Sequence, residues 1–109
     1  MLKDRIIKIL EDKKAIDIVD IDVREKNTFT DNFIIASGTS NTHVKALSDN
    51  IEKDLKEDRI IARKIEGYET GRWILMDYGE VIVHIFHPEE RQFYDLEELW
   101  QNTINKIQE

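Results

Sequence analysis

Residues 33–65 constrain the fold of this chain more than any other stretch. Phe33-Ile34-Ile35-Ala36 is an uninterrupted apolar run, short and rich in β-formers, and it reads as a strand covered on both faces near the middle of a sheet. Gly38 marks its end. After the turn Gly38-Thr39-Ser40-Asn41, the residues Val44, Leu47, Ile51 and Leu55 recur at helical spacing and form one apolar stripe. Ser40 or Asn41 is the expected cap, and Lys45 with Asp49 and Glu52 with Lys56 are spaced to pair on the outer face. Residues 60–65 return as a strand. A strand, a helix and a strand in this order predict a right-handed crossover between two parallel strands, the core of an α/β domain.

The flanking segments extend this core. Over residues 2–14, Leu2, Ile6, Ile9 and Leu10 follow helical periodicity, with charged residues on the other faces. Val19, Ile21 and Val23 alternate with Asp20 and Asp22, as in a strand with one wet face, and the two aspartates discourage edge pairing. Residues 73–76 and 81–86 are two further strands, with Tyr78-Gly79 able to make a tight hairpin turn, so the sheet is expected to be mixed. A last helix is expected to open at Asp95, with Glu98 reaching back to the cap, and to turn Leu96, Leu99, Trp100 and Ile104 inward. With 109 residues, 40% of them apolar, the chain reads as a single domain over 1–109 with a mixed, roughly five-stranded sheet flanked by helices.

Composition narrows the chemistry. Without cysteine there is no disulfide, thiolate zinc site or cysteine nucleophile. No apolar stretch approaches a membrane span, and the first ten residues mix charges into their apolar positions instead of forming a signal-peptide core, so a soluble, cytoplasmic protein is expected. The formal charge of −7 opposes a broad electrostatic footprint on nucleic acid and suits a basic protein partner. Residues 88–100 concentrate the acid, with Glu89, Glu90, Asp95, Glu97 and Glu98 against Arg91 alone, although a solvated helix face reads the same way.

The candidate reactive groups are weak individually. Ser37-Gly38-Thr39-Ser40 stands between a strand and a helix, where a phosphate can bind, but it lacks the P-loop lysine and the dinucleotide glycines, and capping explains it. His84 and His87, three apart in a strand, face opposite ways and share no metal. His84 lies on the face of Ile82 and Phe86 and reads as a hydrogen-bonded, half-buried histidine, and His43 as an exposed one. Asp77 beside Tyr78-Gly79 reads as a turn former. Asp20 and Asp22 have the spacing of a magnesium pair yet fit a solvent face equally well. No catalytic residue, metal or cofactor is therefore assigned. The last third gathers Trp73, Tyr78, Phe86, Phe93, Tyr94 and Trp100 among Arg72, His84 and Arg91, a composition that anchors protein interfaces, although core packing is expected for at least half of these rings.

Two blocks carry a resemblance. Asp31-Asn32-Phe33-Ile34-Ile35-Ala36-Ser37-Gly38, with Thr39-Ser40 and His43-Val44-Lys45-Ala46-Leu47, is similar to the first signature of the ribosomal silencing factor family, also called Iojap-like or RsfS. Trp73-Ile74-Leu75-Met76-Asp77-Tyr78-Gly79-Glu80-Val81-Ile82-Val83-His84-Ile85-Phe86, then Arg91-Gln92-Phe93-Tyr94-Asp95-Leu96-Glu97-Glu98-Leu99-Trp100, resembles that family's C-terminal block. The resemblance implies a three-layer α/β domain of nucleotidyltransferase-like topology. It also implies a translation repressor that binds the large ribosomal subunit through its L-type protein number fourteen and blocks joining of the small subunit when nutrients are scarce. The glycine-serine turn followed by a strand-borne acidic pair, which nucleotidyltransferases use, is missing, because Asp20 and Asp22 precede the glycine turn. The fold and the binding role carry over, and the enzyme activity does not.

By position in the second block, Trp73, Asp77, His84, Phe86, Arg91 and Tyr94 are expected at or beside the ribosomal interface, with Tyr78, Glu89 and Glu90 as further neighbours. Exposed aromatics, and the family, also suggest a homodimer when free. The competing readings are a nucleotide-binding or nucleotidyl-transferring enzyme built on the Gly38 turn and a direct RNA-binding module.

Overall fold

The computed structural model describes residues 1–25 and 29–94, with the backbone alone for residues 92–94. In chain order the elements are α1 (Leu2–Asp12), β1 (Ile16–Asp22), β2 (Asn32–Ser37), α2 (Asn41–Glu57), β3 (Lys64–Glu66), β4 (Trp73–Asp77), β5 (Val81–Phe86) and α3 (Pro88–Tyr94). The five strands form one mixed sheet in the order β1-β2-β5-β4-β3, in which only β2 and β5 pair in parallel.

The two strands that flank α2 are parallel in direction, as expected, but they are not neighbours: the strand after α2 forms the far edge of the sheet, paired antiparallel with β4. Between the two lie β5 and β4. All six residues of β5 pair with the six of β2, whereas β3 offers three residues, with charged Lys64 and Glu66 flanking Ile65. A short charged strand is suited to an edge, and a long apolar one to the centre.

Helices α1 and α2 cover one face. Ile6, Leu10, Val44, Leu47, Ile51 and Leu55 are fully buried against Ile34, Ala36, Ile74, Met76, Val83 and Ile85 from the three central strands. Each large aliphatic side chain buried in this way contributes about 1.5–3 kcal/mol relative to exposure. Arg5 ties the two helices together, its Nε donating to the Asp54 carboxylate at 2.9 Å and its Nη2 to the Asp54 carbonyl at 3.0 Å, with Asp58 as a further partner. The cap of α2 is Ser40, whose Oγ accepts from the His43 amide at 3.1 Å. Of the two expected ion pairs, Glu52 with Lys56 forms at 3.7 Å. Tyr68 takes up the other two side chains, its hydroxyl donating to Asp49 at 3.1 Å and its ring lying under the Lys45 ammonium.

The hairpin between β4 and β5 turns at Gly79-Glu80, one residue later than Tyr78-Gly79. Gly79 has φ +85°, the glycine-favoring conformation that a type II′ turn requires at its first central position. The helix after β5 starts at Pro88 rather than Asp95. The expected Asp95 cap and the inward positions Leu96, Leu99, Trp100 and Ile104 lie outside the described residues. Among the described residues, no helix is long and apolar enough to cross a membrane.

Candidate docking face

The register of the central strands arranges the sheet face opposite the helices into three rows. Ser37 of β2, Phe86 of β5 and Trp73 of β4 are aligned across the sheet; next come Ile35, His84 and Leu75, and then Phe33, Ile82 and Asp77. Alternation along each strand sends all nine side chains to this one face, because Ile34, Ala36, Val83, Ile85, Ile74 and Met76 are committed to the other. β1 extends the rows with Val19 beside Ile35 and Ile21 beside Phe33.

The floor of this face is buried and its upper surface is not. Ile21, Ile35 and Phe86 form a second apolar cluster with Val23, on which the half-buried Val19, Phe33 and Trp73 pack. Leu75, Ile82 and Asp77 are also half-buried. The Trp73 indole stacks on Phe86 with ring centers 5.0 Å apart and planes at 27°, and its Nε1–H donates to His84 Nδ1 at 3.1 Å. His84 is 5% exposed. Burial penalizes its charged form and pushes the imidazole down to about 4, and the indole bond fixes the neutral tautomer with Nδ1 as acceptor.

The sequence-predicted site residues separate into three groups. Trp73, Asp77, His84 and Phe86 share the three rows, with Phe86 and His84 in the floor and Trp73 and Asp77 reaching its surface. Asp77 also fixes the hairpin, since its Oδ1 accepts from the Gly79 amide at 2.8 Å. Arg91 approaches the first row from α3, donating to Ser37 Oγ at 3.1 Å and reaching the Ile16 carbonyl at 3.5 Å. The Tyr94 side chain, like Phe93 and Trp100, lies outside the described residues.

The neighbors are placed differently. Tyr78 joins the core beneath the helices, where burial raises its hydroxyl to about 12. Glu89 and Glu90 accept from the Arg72 guanidinium at 3.0 and 2.8 Å, which fastens the start of β4 to α3. Sequence reasoning put Ile82 on the face of His84 and Phe86 without giving it a site role, and it missed Phe33 and Leu75 as members of this face. The signal was available in the period of two, since each lies an even number of residues from Ile35, Trp73 or His84 on its own strand.

The remaining candidate sites are otherwise occupied. Asp20 accepts from Asn32 Nδ2 at 2.9 Å and pairs with Lys3 at 3.1 Å, while Arg24 holds Asp22 at about 2 through a direct hydrogen bond. In the Gly38 turn, the amides of Gly38, Thr39, His43 and Val44 are bonded to the Phe86 carbonyl, His43 Nδ1, Ser40 Oγ and the Ser40 carbonyl. A Cβ on Gly38 would lie 2.8 Å from the Val44 nitrogen, so the turn is packed against its own helix.

Comparison with known proteins identifies relatives of the whole domain. The family described as "Ribosomal silencing factor during starvation" matches residues 2–109. The ribosomal silencing factor of Haemophilus influenzae is 40% identical over 99 residues, 91% of this chain and 97% of that protein. A crystal structure of a protein from Chromobacterium violaceum superposes with a TM-score of 0.88 at 38% identity, covering 92% of this chain and 83% of that one. The mouse protein named "Mitochondrial assembly of ribosomal large subunit protein 1" is 35% identical over 100 residues, 89% of this chain but 44% of the mouse protein. This chain belongs to the ribosomal silencing factor family.

Proposed function

We propose that residues 1–109 act as one domain that silences translation by docking on the large ribosomal subunit. The partner is its L-type protein number fourteen, and the bound domain sterically blocks joining of the small subunit, lowering translation under nutrient limitation. Binding alone performs this task, in the cytoplasm, without a cofactor or a catalytic step.

The observation that carries the reading is the three-row face. Among the described residues, Phe33, Trp73, Leu75 and Ile82 lie half-exposed over a buried apolar floor, and an aromatic and aliphatic surface of this composition suits docking on another protein. Trp73 is its anchor. Arg91 beside the first row and Asp77 in the third supply polar contacts, with His84 and Phe86 in the floor, and the family resemblance adds Tyr94 to the interface. The net charge of −7 favors approach to a protein in a basic neighborhood, where complementary charge accelerates encounter. The name of the mouse relative points to the same subunit. In the free protein the same face, self-matched in a homodimer, is shielded from water, so dimerization and docking exclude one another.

Co-sedimentation with separated subunits tests the reading. The protein is expected to travel with the large subunit, and adding small subunits should then yield fewer joined particles. A folded protein that binds neither subunit contradicts it.

A further inference from the structure

Trp73 does not reach the surface of the sheet freely. Among the described residues, two contacts orient its indole: the stack on Phe86 sets the plane of the ring, and the bond from Nε1–H to His84 Nδ1 sets its rotation within that plane. The second contact is directional where the stack is not: a flip of the indole can keep an aromatic face on Phe86 but moves Nε1 away from its acceptor. His84 is itself immobilized. It is nearly parallel to Phe86, at 13° and 6.2 Å, and meets Phe33 edge to face at 5.1 Å.

Packing alone does not account for histidine at this place. Among the described residues, His84 Nε2 is buried with no hydrogen-bond partner, and an unmade buried bond costs stability. A leucine would fill a similar volume without that cost. What leucine cannot do is accept the indole proton.

We propose that His84 is a positioning residue, which holds the Trp73 indole in one orientation so that the anchor of the docking face is formed before the partner arrives. This rests on the docking role of Trp73 proposed above. Ordering an interface side chain in advance removes a loss of freedom that binding would otherwise incur.

The test measures affinity for purified large subunits across His84→Leu, His84→Asn, Trp73→Phe and the double variant Trp73→Phe/His84→Leu, with the indole N–H resonances of each followed by NMR. His84→Leu is expected to shift the Trp73 indole resonance and weaken binding about three- to tenfold, the worth of one neutral hydrogen bond. His84→Asn, whose Oδ1 restores an acceptor, recovers most of that loss. The double variant is no weaker than the weaker single one, because both remove the same bond.

Wild-type affinity in a folded His84→Leu protein, or losses that add in the double variant, overturns the positioning role. If His84→Leu does not fold, Trp73→Phe and His84→Asn carry the test: the first should weaken binding and the second should not, and the reverse overturns the proposal. Trp73→Ala separates the two readings. Full affinity in that variant removes the docking role itself, whereas lost affinity there with wild-type affinity in His84→Leu removes the positioning role alone.

Discussion

The imidazole of His43 joins the two helices at one end of the domain, with its Nε2 2.9 Å from the carbonyl of Lys13. Lys13 caps the C-terminus of α1, and the other ring nitrogen accepts from the Thr39 amide at 2.9 Å, so one side chain satisfies an orphan carbonyl and an orphan amide together. His43→Ala should therefore cost about 1–2 kcal/mol of stability. Urea unfolding measures this, and an unchanged midpoint would show that water replaces both bonds without penalty.

Gly67 controls the approach to β4. Its φ is +79°, and a Cβ built there would stand 2.0 Å from the Trp73 carbonyl oxygen, backbone that cannot swing aside. Gly67→Ala is predicted to destabilize the protein by about 2 kcal/mol or more and to weaken docking as well, because the first residue of β4 must shift. Thermal unfolding and subunit binding together check this. A variant of unaltered stability and affinity would mean that the loop before Trp73 plays no part in placing it.

His84 makes stability depend on pH in a definite window. Its folded value of about 4 lies below the ordinary 6.5, so between these values the unfolded chain binds the extra proton. Stability from this group is complete above about pH 6.5, falls as the pH drops toward 4 and levels off below, a loss of about 3 kcal/mol in all. Asp22, held at about 2 by Arg24, is exposed and loses its pair only at more acidic pH, so the two windows separate. Unfolding measured from pH 7 to 4 should show the loss in the wild type and a flatter profile in His84→Asn. Parallel profiles would assign the dependence to other groups.

Asp77 separates folding from docking. Its Oδ1 closes the Gly79 turn, a task that an asparagine oxygen performs equally well. Asp77→Asn should retain the melting temperature, whereas Asp77→Ala lowers stability by about 1 kcal/mol. Subunit affinity of the stable Asp77→Asn protein then reports on the carboxylate charge itself, and a loss of about threefold or more is expected for a group at the rim of the interface. Unchanged affinity would confine Asp77 to the turn.

Much of this architecture is legible in the sequence because it is local. The apolar stripe Val44, Leu47, Ile51 and Leu55 specifies α2, the alternation of Val19, Ile21 and Val23 specifies β1, and the Asp77 turn follows from its position beside Tyr78-Gly79. The placement of β3 was not legible, since Ile65 between two charged residues identifies a strand but not its neighbor. That choice is made by competition for β2, which β5 wins with six paired residues. The site divides in the same way. Trp73, His84 and Phe86 fall on one face by simple alternation, but the Trp73–His84 bond, the role of His43 and the clasp of Arg72 on Glu89 and Glu90 join residues distant in sequence. Side-chain types alone do not announce such partnerships.

The most direct test of the account is a titration of large ribosomal subunits with the wild-type protein and with Trp73→Ala, the fold of each confirmed by circular dichroism. The account predicts a folded variant whose affinity falls by about 2 kcal/mol or more, roughly thirtyfold, with restored joining of the small subunit. A folded Trp73→Ala protein that binds as tightly as the wild type and still prevents joining would contradict the assignment of this sheet face as the docking surface.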